Sequence, residues 1–332
     1  MTILKAENLN EGMFEENKER ISTREGYGRG LLEAGEKDPR IVLLSADLTS
    51  STGGGPFAER FPERFIQVGV AEQNLVTVAS GMAAMGKIPF TSSYAVFSPG
   101  RNWEQIRTTI CYNDQPVKII GSHTGVSVGP DGGTHQALED IALMRSLPNM
   151  TVISPCDAKE AYKATLEIAR SDRPAYMRLT RDKTPVMTTD NTEFKIGKAM
   201  LFHGDIEGEA DVGIIATGPL LYRAIKVARI MEERGYKINV LNLSTIKPLD
   251  GEAVLGLAER TGAIVTVEEH QIKGGMGGEV AEFLAENRPV PMEFVGVNDA
   301  FGESGGAVEL LEKFKMGEED MIRAIERVSG RK

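Results

Sequence analysis

A single carboxylate stands alone in an otherwise uncharged stretch. Between Arg64 and Lys87 the chain reads FIQVGVAEQNLVTVASGMAAMG, and Glu72 is its only ionisable side chain. Phe65 to Val70 reads as a buried strand, followed by a tight turn and a helix of small residues from about Asn74. A carboxylate buried at that turn is costly as an anion, so its pKa is expected to rise. A proton held or shared there suits a general acid, or a partner for a basic ring nitrogen. The same pattern also fits a Glu at a helix start, where free N–H groups and the helix dipole welcome an anion. The residues of this stretch leave both readings open.

Three further segments concentrate chemistry. SADLTSSTGGG (45–55) places Asp47 and Ser51 in a Gly-rich loop that can approach a ligand closely. GSHTGVSVGPDGGTHQ (121–136) holds His123, Asp131 and His135, in a loop whose length points to function or disorder. Its spacing matches no standard zinc site, and solvent-exposed histidines are the plain alternative. PFTSSYAVFSPGRNWEQI (89–106) gathers Tyr94, Phe97 and Trp103, which suit stacking on a flat ring or ordinary core packing. Arg24 and Arg181 are candidates for phosphate, because a guanidinium offers a fork of donors. GGMGG (274–278) reads as a turn with tight helix packing, since no GxGxxG follows a strand and no GxxxxGK[ST] occurs. Glu268, Glu269 and His270 end a strand, but no convergent set accompanies them.

The elements that must carry these residues alternate strand and helix, which indicates α/β architecture. Residues 41–47, 117–122, 150–155 and 175–180 read as buried parallel strands, with a helix over 158–169. The polar segment 182–200 reads as a linker. A second set follows, with strands at 211–218, 237–243, 262–269 and 292–297, and helices at 219–234, 251–260 and 277–287. Two domains, 1–188 and 189–332, are expected for a chain of 332 residues. Each is a mostly parallel sheet flanked by helices, and ligands belong at the carboxyl ends of such strands.

Net charge is −10, which argues against nucleic acid or an anionic membrane as the main partner. Cys111 and Cys156 form no CxxC or metal-spaced set. With no apolar run of membrane-spanning length and no signal-like start, a cytoplasmic protein is expected.

In order along the chain, these segments resemble the C-terminal part of transketolase. STREGYGRGL (22–31) is similar to the opening of the family's pyrimidine-binding domain, and SADLTSS (45–51) to its SADLT loop. GVAEQN (69–74) resembles the turn bearing the cofactor-activating glutamate, though AEQ is nearer to deoxyxylulose phosphate synthase than to the common REHA form. HTGVSVGPDGGTHQ (123–136), RSLPN (145–149) and LTRDKTP (179–185) complete the likeness. The resemblance implies thiamine diphosphate chemistry in a pyrimidine-binding domain followed by a transketolase C-terminal domain. By it, Glu72 shares a proton with the pyrimidine ring, which favours the functional reading of that carboxylate. Tyr94 and Phe97 stack on the ring, and Asp47 and Leu48 lie toward the thiazolium. Arg24, Ser51, His123 and Arg181 hold a substrate phosphate. Asp131 and His135 contact sugar hydroxyls, and His135 moves protons.

One departure carries the main implication. The family's diphosphate and magnesium site is a GDG motif with a following Asn in a separate N-terminal domain, and GDG is absent here. The resemblance therefore implies half an active site. It implies an N-terminal partner subunit holding the magnesium, self-association with two copies of each subunit, and ketol transfer between sugar phosphates. A deoxyxylulose-phosphate-synthase-like enzyme and a non-catalytic regulatory subunit are the alternatives.

Overall fold

A computed structural model describes residues 4–5 and 9–332. Two sheets organise it. The first has seven strands in the order Thr245–Lys247, Thr151–Ile153, Ala175–Arg178, Lys118–Ser122, Ile88–Tyr94, Ile41–Ser45 and Phe65–Gln67. All neighbours are parallel except Thr245–Lys247, which crosses over from the second half of the chain and pairs antiparallel with Thr151–Ile153. The second sheet orders Leu4–Lys5, Met200–His203, Ile238–Asn242, Val212–Ala216, Ile264–Gln271 and Met292–Val297. Among the described residues, its one antiparallel pair is Met200–His203 with Ile238–Asn242. The expected α/β class with two mostly parallel sheets is what the structure shows.

Element limits differ in instructive places. The strand expected through Val70 ends at Gln67, and Gly69 turns at φ +74. The helix expected from Asn74 begins at Glu72 and runs to Ala84. The segment read as a linker over 182–200 is held down at its centre. Asp157 accepts from the N–H groups of Met187 and Thr188, and Val186 and Met187 are buried.

The helix Thr23–Lys37 is faint in the sequence because Gly26, Gly28, Gly30 and Gly35 weaken its helix signal. Those glycines serve packing. A Cβ on Gly26 would lie 1.9 Å from the Ala158 carbonyl oxygen, and one on Gly28 2.4 Å from that of Gly53. The helix thereby seats directly on Ala158–Arg170 and on the loop that follows Ile41–Ser45. Ser22 and Glu25 close its start as a capping box.

A buried ionic network joins the two halves. Arg178 donates to Asp140 at 2.9 and 3.2 Å, and to the Glu269 carbonyl oxygen at 3.2 Å. Tyr176 O–H also donates to Asp140, at 2.8 Å. The Ile141 N–H reaches His270 Nε2 at 3.2 Å. Burial works against the Asp140 carboxylate, but Arg178 and its other partners outweigh it and hold the pKa below the usual range. Arg178→Met should therefore cost about 3–5 kcal/mol in a denaturant titration, the scale for leaving one buried charge unpaired. A loss under about 1 kcal/mol, the scale of an exposed pair, would show that the network contributes little.

Candidate active site

Five loops leave the carboxyl ends of the first sheet's parallel strands, and they carry most of the candidates. Asp47, Leu48 and Ser51 follow Ile41–Ser45, and Glu72 follows Phe65–Gln67. Phe97 follows Tyr94, the last residue of Ile88–Tyr94. His123, Asp131 and His135 follow Lys118–Ser122, and Arg181 follows Ala175–Arg178. Arg24 comes from the first turn of Thr23–Lys37.

Glu72 is 1% exposed. One carboxylate oxygen accepts from Arg101 Nη1 at 2.7 Å, and the other from Ser93 Oγ at 3.3 Å. Its backbone carbonyl accepts from Asn102 Nδ2 at 2.8 Å. Burial is as the sequence suggests, but the cation is new. Arg101 is 29 residues away and offsets the cost of burying the anion. Sequence reasoning misses Arg101, Ser93 and Asn102, because the uncharged stretch around Glu72 shows only its neighbours along the chain. Arg101 lies within the aromatic segment 89–106, and its guanidinium sits 4.9 Å from the centre of the Phe97 ring.

The rings converge. Tyr94 and Phe97 stack with centres 6.2 Å apart and planes 15° apart. His123 stacks on Tyr94 at 3.8 Å. His135 meets Tyr94 and Phe97 edge-on, at 6.2 and 5.5 Å. Trp103 does not join them; its indole N–H donates to the Leu143 carbonyl at 2.8 Å and its ring packs on the core. Among the described residues, no hydrogen bond or ring contact ties the side chains of Asp47 or Asp131 to this cluster. Both are exposed.

The proposed anion set is also assembled. Arg24 Nη1 donates to the Ser51 carbonyl at 2.7 Å, and Arg181 Nη1 to the Val128 carbonyl at 2.9 Å. Burial, with help from Arg24, Arg181 and His135, pushes the His123 imidazole down to about 3. His123 therefore stays neutral near pH 7. The positive charge at this end of the sheet therefore comes from Arg24 and Arg181, not from His123.

A separate cavity of about 430 Å³ opens at the opposite end of the sheet, lined in part by Lys37, Arg40, Lys87 and Arg170. Three helices end there, Thr23–Lys37, Glu72–Ala84 and Ala158–Arg170. The cations complement their negative ends, which accounts for them without a ligand.

The matching family models are the transketolase pyrimidine-binding domain over residues 19–187 and the transketolase C-terminal domain over 205–321. This chain belongs to the transketolase family. It is 42% identical over 319 residues to a 6-deoxy-6-sulfo-D-fructose transketolase subunit of a Clostridium species, covering 96% of this chain and 98% of that one. It is 36% identical to an apulose-4-phosphate transketolase subunit of Phocaeicola vulgatus, over 91% of this chain and 96% of that relative. Human transketolase is 33% identical over 92% of this chain, which spans 49% of the human enzyme. A solved structure described as a split gene transketolase, inactive beta4 tetramer, superposes with a TM-score of 0.86 at 42% identity, over 93% of this chain and 99% of that one. Within the transketolase family the chain corresponds to the C-terminal subunit of a split, thiamine-diphosphate-dependent enzyme, a transferase. The synthase alternative is the weaker one.

The transketolase residues here fit one half of that cofactor. A buried carboxylate beside aromatic faces suits an aminopyrimidine ring. A magnesium diphosphate needs clustered oxygen ligands. Among the described residues, no group of three or more His, Cys, Asp or Glu side chains could hold a metal ion. No described helix is long and apolar enough to cross a membrane.

Proposed function

We propose that this transketolase subunit, spanning a pyrimidine-binding domain (1–188) and a C-terminal domain (189–332), supplies the pyrimidine and substrate side of an active site completed by an N-terminal partner subunit. The observation that carries this reading is the convergence of buried Glu72, the Tyr94–Phe97 rings and the Arg24–Arg181–His123 set at one end of one sheet. The partner holds the diphosphate and magnesium, and two copies of each subunit assemble in the cytoplasm.

When bound, thiamine diphosphate would supply a nucleophilic thiazolium carbon for a ketose carbonyl. Glu72 Oε1, which among the described residues accepts from Ser93 Oγ at 3.3 Å alone, is the oxygen left to share a proton with a pyrimidine nitrogen. Tyr94 and Phe97 would hold the pyrimidine ring, and Asp47 and Leu48 would contact the thiazolium side. His135 moves the proton at the sugar hydroxyl as the carbon–carbon bond breaks, and Asp131 orients that hydroxyl. Arg24, Ser51, His123 and Arg181 bind the anionic end of the sugar. The names of two relatives, a sulfo-sugar and a sugar-phosphate transketolase subunit, each place an anionic group on the substrate. Two arginines suit either group.

Arg181→Ala removes a charge remote from the reacting carbon. It should lower kcat/KM for phosphorylated acceptors by about tenfold or more, the scale of a charge-assisted hydrogen bond, and leave unphosphorylated sugars almost unaffected. Equal loss for both would remove the arginine from the phosphate site. The reaction itself is tested by giving the assembled complex a ketose phosphate or pyruvate. Cleavage of the ketose phosphate with pyruvate ignored supports ketol transfer. Carbon dioxide release from pyruvate alone would move the reading to the synthase. Neither activity in a complex proven to hold cofactor would favour a regulatory subunit.

A further inference from the structure

The acidic pair at the end of the strand Ile264–Gln271 is unused by the reading above, yet it reaches the first domain. Glu268 turns inward and caps its own domain, accepting from the N–H groups of Met276 and Gly277 at 2.7 and 2.8 Å. Glu269 points the other way. Its carboxylate accepts the Ser127 N–H at 2.6 Å, across 142 residues of sequence. Glu269 is 5% exposed, and the Val126 and Val128 side chains flanking its partner are fully buried.

Ser127 lies in the turn Val126–Asp131, the middle of the loop that begins at His123 and ends at His135. The chain around it is shaped to this contact. Gly125 sits at φ +80, and a Cβ there would lie 2.1 Å from Glu269 Oε1. The space a side chain would need is the space the carboxylate occupies. Three neighbouring contacts come from the second domain as well. Gln136 Nε2 donates to the Val126 carbonyl at 3.0 Å and to that of Glu303 at 2.9 Å. A Cβ on Gly133 would lie 2.5 Å from the Gly302 carbonyl oxygen, and one on Gly132 2.5 Å from Ser304 Oγ. A cavity of about 190 Å³ lies beside Glu269 and Ser127.

We propose that Glu269 is a positioning residue through which the second domain sets the loop that presents His123, Asp131 and His135. It touches no reacting atom. Its carboxylate fixes the Ser127 N–H, and the loop's two ends follow. The proposal rests on the reading of that loop as the substrate loop, and it gives the second domain a part in the chemistry of the first.

The test compares Glu269→Ala and Glu269→Gln, in the chain alone and in the complex with its partner. In the alanine variant the Ser127 N–H loses its acceptor. Amides 125–129 and 131 should exchange with deuterium about tenfold faster or more, the scale of one lost buried hydrogen bond. In the complex, kcat/KM for the ketose donor should fall by about the same factor. Glutamine keeps an acceptor oxygen and should stay within about threefold of wild type in both readouts, less than one lost hydrogen bond. Should the alanine variant fail to fold, Glu269→Asp draws the acceptor back by one methylene and should give the same signature at smaller size. Unchanged loop exchange in a folded alanine or aspartate variant overturns the proposal. So does a glutamine variant as impaired as alanine. If the wild-type complex transfers no ketol unit, the functional reading fails, and the exchange comparison still decides the Glu269 contact.

Discussion

Glu72→Gln in the assembled enzyme should lower turnover by about 10²–10⁴-fold, the range of general acid–base catalysis, with the fold intact. The amide is nearly isosteric. Its oxygen can still accept from Arg101, but it cannot share a proton with a ring nitrogen. The loss should fall on kcat, because the proton transfer helps in reaching the transition state and not in binding. The unfolding midpoint checks the fold, and steady-state kinetics check the rest. A variant keeping more than about a tenth of wild-type turnover would lie below any general acid–base contribution and would remove Glu72 from that role.

His135→Ala should slow cleavage of a ketose phosphate donor by about 10²-fold or more. The imidazole stands edge-on to Tyr94 and Phe97, and Thr134 Oγ1 lies 3.0 Å from its Nδ1. That contact engages Nδ1 and leaves Nε2 as the other ring nitrogen. Single-turnover mixing with donor alone isolates the step. Donor cleavage at the wild-type rate with a defect only in acceptor binding would place His135 in recognition. Asp131 gives no such prior geometry, being exposed and outside the ring cluster.

Much of this is legible in the residues. Glu72 announces its burial through the absence of any other charge between Arg64 and Lys87, and strands such as Ile41–Ser45 through unbroken apolar runs. The rings of Tyr94 and Phe97 and both loop histidines stand out in the sequence, and the sheet brings them together. What stays hidden depends on pairing across the sheet or across the domains. Arg101 reaches Glu72 only because the carboxyl end of Ile88–Tyr94 lies beside the start of the Glu72 helix. Glu269 reads as a strand-end acid without a convergent set, because nothing local shows that Ser127 waits 142 residues earlier. The helix Thr23–Lys37 is hidden by glycines that its close packing requires. The strand Thr245–Lys247 lies in the second half of the chain yet pairs in the first sheet, a crossover that no period in the sequence encodes.

The central claim is that this chain holds one side of a shared site, and calorimetry of thiamine diphosphate binding tests it most directly. Titrated with cofactor and magnesium, the chain alone should bind weakly. The same chain mixed with a GDG-bearing N-terminal subunit should bind at least about 100-fold more tightly, a gain of roughly 2.7 kcal/mol. That mixture should also gain ketol-transfer activity that neither subunit has alone. Tight, magnesium-dependent binding by this chain without its partner would contradict the account.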